Sequence, residues 1–214
     1  MSFDQITFYS KKFLILSCVI SLSCQSQIRD NDLRNVGGKC EGCEALYEYG
    51  DKFLNETDTI PGFKEYSPKI KIHGTIYKND GVSPAEDIIL YFYHTNQEGI
   101  YDNKGKTKNW IARHGIHRGW IKTDKSGHFE IYTFRPASYP NSIAPQHIHM
   151  TIKEPNTIPY YIDDIFFRDD PNFNSEFDKG NEARAGSGVI TLKKNKGIWE
   201  ARRDIYLGQN IPDY

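Results

Sequence analysis

His147 and His149, in the run QHIHM, are the side chains whose type and spacing point most directly to chemistry. On an extended strand residues i and i+2 project from one face. The two imidazoles can therefore grip one ion while Ile148, Met150 and Ile152 line the opposite, apolar face. A His-x-His pair alone is usually a solvated or hydrogen-bonded surface feature, so further ligands must decide between the readings. A Tyr-Pro pair, Tyr139-Pro140, stands shortly upstream. Phenols titrate near pH ~10, so they bind metal at neutral pH only where a strongly charged ion drives off the proton, as ferric iron does. Two phenolates, one hydroxide and two neutral imidazoles leave Fe(III) formally neutral, which avoids the cost of burying a bare charge. Most of the 14 tyrosines and 12 phenylalanines must be packing residues, and only position relative to the histidines sets any of them apart.

These residues and their surroundings resemble the intradiol ring-cleavage dioxygenases, whose non-haem ferric iron is held by two tyrosines and two histidines. Tyr101, in YHTNQEGIYDN, is similar to the family's first ligand; Tyr139, in RPASYP, to the second; His147 and His149 to the last two. The segments DGVSPAEDIILYFYHT, RGWIKTDKSGHFEIYTFRP and YYIDDIFFRDDP follow in family order, and the resemblance covers roughly residues 60 to 170. It implies a Fe(3+) cofactor on Tyr101, Tyr139, His147 and His149, and as partners a small aromatic diol and O2. It also implies that the catecholate displaces Tyr139, whose freed phenolate accepts a substrate proton, and that both oxygen atoms enter the ring to give a muconate-type diacid. The implied fold is an all-β, two-sheet β-sandwich with long metal-binding loops and little helix. One position departs from the family: the arginine commonly found three residues before the first histidine is Ala144 here, and Gln146 replaces the usual alanine. Arg113, Arg118 and Arg135 are the candidates nearby in sequence for the missing cation.

The elements that must carry these residues read as short strands and turns. Ile70, Ile72, Gly74 and Ile76 alternate with polar neighbours up to the Asn79-Asp80-Gly81 turn. Ile88 to Tyr93 is an unbroken apolar run, as in a strand covered on both faces. Gly119 to Thr123, a turn at Asp124 to Gly127 and His128 to Phe134 read as a hairpin, with further strands at His147 to Ile152, Val189 to Lys193 and Trp199 to Leu207. Strands at this spacing predict a two-sheet sandwich. His94, His114 and His117 fall near the presumed iron loops, as proton carriers, pocket linings or structural side chains. Asp163, Asp164, Asp169 and Asp170 fit no calcium loop and read as a solvated acidic edge.

At the N-terminus Lys11 and Lys12 precede an apolar run from Phe13 to Leu22, too short to span a bilayer and suited to a secretion signal. Cys24 follows, in an arrangement that resembles a bacterial lipoprotein signal. The expected organisation is a leader over 1–23, a linker and CxxC segment over 24–59, and the sandwich over 60–214. That resemblance implies Cys24 as the lipid anchor of an exported, membrane-tethered protein, with simple secretion as the other possibility. Cys40 and Cys43, in CEGC, read as a short-loop disulfide, because an exported chain favours oxidation and a structural zinc site needs two more ligands. EALYEYG reads as a short helix ending at Gly50. A net charge of -1 without a dense basic patch argues against a nucleic-acid partner, and there is no phosphate loop or G-x-S-x-G elbow. Two alternatives stay open: a metal-free transthyretin-like or carboxypeptidase-regulatory-like binding module at the cell surface, and an iron-binding homologue with altered chemistry.

Overall fold

The computed structural model describes residues 33–179 and 182–214, so the leader and Cys24 lie outside the described residues. The strands are β1 (Thr57–Thr59), β2 (Lys69–Tyr77), β3 (Ile89–Tyr93), β4 (Arg118–Lys122), β5 (His128–Phe134), β6 (His147–Lys153), β7 (Tyr160–Phe167), β8 (Val189–Ile190), β9 (Lys193–Asn195), β10 (Ile198–Arg202) and β11 (Ile205–Tyr206). Two short α-helices, α1 (Ile111–His114) and α2 (Ser175–Lys179), and a 3-10 turn at Cys43–Tyr47 complete the regular structure among the described residues. One sheet runs β1-β5-β2-β10-β9, with β11 added beside β2, and the other runs β4-β3-β6-β7-β8. Apolar faces of the two sheets meet in one core, as the alternation of the sequence predicts.

Strand β2 buries every second residue, and Ile70, Ile72 and Ile76 are fully enclosed. In β6 the same alternation sends Ile148, Met150 and Ile152 into the core and leaves His147 and His149 on the outer face. Strand β3 shows why its apolar run is unbroken. Leu90 and Phe92 face the core between the sheets, while Tyr91 packs with Trp120 beneath Ala45 and Leu46 of the N-terminal 3-10 turn. The strand that carries His147 and His149 is thus central in its sheet, next to the part of β3 that is covered on both sides.

The hairpin expected between β4 and β5 does not form. Strand β4 pairs with β3, with Trp120 opposite Tyr91, whereas β5 pairs with β2, with Ile131 opposite Ile72. The turn, closed by the Gly127 N–H on the Asp124 carbonyl, carries the chain from one sheet to the other. A turn signal fixes a reversal, but the inward faces choose the sheet, and Gly127 lets the turn press close to the Ile76 carbonyl. Two other expected strands split. Val189 to Lys193 divides into β8 and β9, one in each sheet, and Trp199 to Leu207 divides into β10 and β11, both parallel to β2. Strand β7 has no clean alternation in sequence because it is bulged, with Asp163 and Asp164 together opposite the single residue His149 of β6.

Ile148 anchors the histidine strand from the core side at 0% exposure. Ile148→Ala is expected to destabilise the chain by about 2–5 kcal/mol, seen as a lower urea midpoint at unchanged m-value.

Candidate metal centre

Tyr101 lies on the loop between β3 and α1, and Tyr139 on the loop between β5 and β6. Asn96 ties the two loops together. Its side-chain oxygen accepts the N–H groups of Glu98 (3.0 Å) and Ile100 (2.9 Å), and its carbonyl accepts Ala137 N–H (3.1 Å). Gly99, at φ +75°, lets the first loop pass the second, since a Cβ there would run into the Ser138 carbonyl.

The result is that all four side chains expected as ligands converge. Tyr101 Oη lies 2.5 Å from Tyr139 Oη and 2.7 Å from His149 Nε2. Tyr139 Oη lies 3.0 Å from His147 Nε2 and 3.1 Å from His149 Nε2, and the two Nε2 atoms are 3.2 Å apart. Bonds of roughly 2.0–2.1 Å to one ion place neighbouring donor atoms about 3 Å apart, so this spacing suits a shared ion.

The far nitrogen of each ring decides what the near one can do. His147 Nδ1 is 2.7 Å from the Pro145 carbonyl, and His149 Nδ1 is 3.0 Å from Asp164 Oδ2. Both partners only accept, so in the neutral rings the proton sits on Nδ1 and the Nε2 lone pairs point at one another. Two such lone pairs repel unless a proton or cation lies between them, and the adjacent phenols supply anionic oxygen once ionised. That donor set fits a hard trivalent ion. Burial holds both phenols above their ordinary range and, with the neighbouring His149, holds the His147 imidazole below its own. Burial also works against ionised Asp164, but the facing His149 outweighs it and keeps that carboxyl below the usual value.

Asp164 is therefore the residue whose place the sequence concealed. Of the four aspartates expected as a solvated edge, only Asp169 is exposed. Asp163 and Asp170 are buried, Asp170 Oδ2 accepts the Gln146 N–H (3.0 Å), and Asp169 pairs with Arg135 (2.8 Å). Recognising 160–167 as a strand would have placed Asp164 beside His149. The candidate arginines are each engaged elsewhere: Arg113 with Glu41 (2.5 Å), Arg118 with Glu48 (2.7 Å), and Arg135 with Asp169 and with Gln146 (2.5 Å), the residue that stands where the family has alanine.

The other histidines pack around the site. The His114 ring stacks on Tyr93 (3.8 Å between centroids, 6° between planes), and Tyr93 stacks in turn on His149 (4.6 Å). His94 is 1% exposed, with its ring nitrogens 2.6 Å from the Thr95 carbonyl and 2.6 Å from Thr133 Oγ1. His117 Nδ1 lies 2.9 Å from the Pro61 carbonyl. Cys40 and Cys43 are joined in a disulfide, and their loop roofs a cavity of about 230 Å³ lined by Tyr93, His114, His149 and Asp164.

Comparison with known proteins matches residues 50–197 to the dioxygenase family model. The chain belongs to the intradiol ring-cleavage dioxygenases. No curated protein matches the sequence. Among solved structures, the dioxygenase domain of a dioxygenase and carbohydrate-binding protein fusion from Streptomyces sp. SirexAA-E is similar at TM-score 0.55 and 18% identity, over 74% of this chain and 94% of that one. Catechol 1,2-dioxygenase from Acinetobacter sp. ADP1 is similar at 0.54 and 18% identity, over 75% of this chain and 61% of that one. Hydroxyquinol 1,2-dioxygenase from Pseudomonas putida DLL-E4 is similar at 0.54 and 17% identity, over 74% and 62%. The intradiol dioxygenase therefore spans about six-tenths of the length of the last two proteins, and these likenesses show a shared fold.

The buried histidines set a pH dependence. Burial pushes the His94 imidazole down to about 3, so the folded state keeps it neutral. As pH falls below the unfolded value near ~6.5 the unfolded chain gains the proton first, and stability is lost down to the folded value at about 1.4 kcal/mol per pH unit. Above the unfolded value its contribution is complete. Urea titrations of metal-free protein between pH 7 and 4 should show a slope that His94→Gln reduces by about that amount.

Proposed function

We propose that this dioxygenase is a non-haem Fe(III) enzyme that cleaves a catechol-type aromatic with O2 to a muconate-type diacid. The observation that carries this reading is the meeting of two phenolic oxygens with two imidazole lone pairs whose tautomers are set by Pro145 and Asp164. When bound, ferric iron would supply the positive charge that ionises the phenols and draws electron density from a chelated catecholate.

The chain's own residues divide the remaining work. His147 and His149 act as neutral donors because each Nδ1–H is already committed. Tyr101 is the ligand with the firmer setting, its ring between Tyr93 and His149 at centroid distances of 5.7 and 6.2 Å. Tyr139 belongs to the loop between β5 and β6, whose Pro140, Asn141, Ser142 and Ile143 are exposed, and this exposure supports Tyr139 as the ligand that leaves. Its Oη then takes the proton released by the incoming diol. Ala144, with Arg113, Arg118 and Arg135 engaged elsewhere, favours a second reading, an iron-binding homologue with altered chemistry. Export and a lipid tether at Cys24 belong to the same proposal, supported by the Lys11 to Leu22 leader pattern.

Iron-loaded protein is expected to be red to burgundy through tyrosinate-to-Fe(III) charge transfer, and Tyr139→Phe to shift or abolish that band. Oxygen uptake with catechol, protocatechuate or hydroxyquinol supports ring cleavage, and a coloured preparation that consumes no O2 with any of them supports the second reading. Cys24→Ser should move the protein from the membrane to the soluble fraction on cell fractionation.

A further inference from the structure

Arg203 is a buried cation that the proposed chemistry leaves unused. It is 3% exposed, and its Nε, Nη1 and Nη2 have no hydrogen-bond partner among the described residues. It sits between β10 and β11, which follow β2 in one continuous parallel register. Arg203 N–H donates to the His73 carbonyl (2.9 Å), and Asp204 Oδ1 accepts the Thr75 N–H (3.0 Å). Gly74 lies directly beneath, and any Cβ there would collide with the Arg203 carbonyl, so the crossing depends on that glycine.

Across the sandwich lie Asp163 and Asp164 of β7, whose charges act on Arg203. Asp163 Oδ1 accepts the Arg184 N–H (2.9 Å), while its buried Oδ2 has no partner. Asp164 Oδ2 holds His149 Nδ1. A buried guanidinium carries five N–H donors and is costly to leave unsatisfied. A buried water is stable where it finds ~2–4 polar partners, and Arg203 with Asp163 Oδ2 offers them.

We propose that ordered water links Arg203 to Asp163 and that this hydrated charge cluster makes Arg203 a positioning residue for Asp164 and, through it, for His149. Asp163 and Asp164 are adjacent carboxylates that repel one another, and Asp164 is half-exposed toward the cavity beneath the Cys40–Cys43 loop. The interior cation opposes that repulsion and keeps Asp164 on His149 rather than swung toward the cavity. The inference rests on the metal-centre reading only for its consequence in metal binding.

The test is nitrogen-15 NMR of the histidines in the metal-free full chain, together with Zn(II) and Fe(III) titrations of wild type, Arg203→Met and Arg203→Lys. Arg203→Met is expected to lose the protected His149 Nδ1–H signal and to weaken metal binding by about 10–100-fold, with Arg203→Lys restoring both in part. A folded Arg203→Met with an unchanged His149 signal overturns the proposal. If that variant does not fold, Asp163→Asn, which keeps the shape and weakens the water's acceptor, must perturb the same signal; an unperturbed signal again overturns it. Wild type that takes up neither ion sinks the metal-centre reading, while the NMR signal still decides the role of Arg203.

Discussion

Two imidazole lone pairs held 3.2 Å apart, with their other nitrogens already bonded, are the constraint on which the centre depends. Neither ring can relieve the repulsion by turning, since turning would cost its Nδ1 hydrogen bond, one of them to a carboxylate. The rest of the sandwich can be understood as the support for this arrangement. Strand β6 sets the spacing of the histidines, the core residues Ile148, Met150 and Ile152 fix its rotation, and β7 brings Asp164 to the back of His149. The two tyrosine loops, tied through Asn96, then close over the front.

The outer face of this sheet is covered over part of its area, where an antiparallel sheet with one face on the core commonly meets water. Tyr91 and Trp120 are covered by Ala45 and Leu46, and the stack of His114 on Tyr93 on His149 joins that satellite cluster to the histidine pair. The N-terminal segment holds this cover down through Glu48, which accepts the Trp110 N–H (2.8 Å) and pairs with Arg118. The polarity of the site is thus set by elements far apart in the chain, and two of the three candidate cations, Arg113 and Arg118, are drawn into holding the cover.

Much of this was legible beforehand. Period-two alternation in QHIHM and in β2 announced which side chains face the core, because burial of one face is a local property of an extended strand. The unbroken run of β3 announced burial on both faces. The four ligand candidates were readable from residue type and order within a family pattern. Less legible were features that depend on partners: the β4–β5 turn looked like a hairpin, and DD in β7 looked like a solvated edge, because a bulge at that pair breaks the alternation of the strand.

By itself the amino-acid sequence determined the strands that alternate, the histidine pair that shares a face, the tyrosines in order before it and the glycines at tight crossings, since all of these follow from local geometry and residue chemistry. Only the tertiary structure decided which sheet each strand joins, that Asp164 rather than solvent meets His149, that the nearby arginines are spent on Glu41, Glu48 and Asp169, and that Arg203 is buried opposite Asp163. Those outcomes turn on which groups compete for one partner across the fold, a contest between residues far apart in the chain, as in the bond from the Gly37 N–H to the Pro212 carbonyl, and no local pattern records its result.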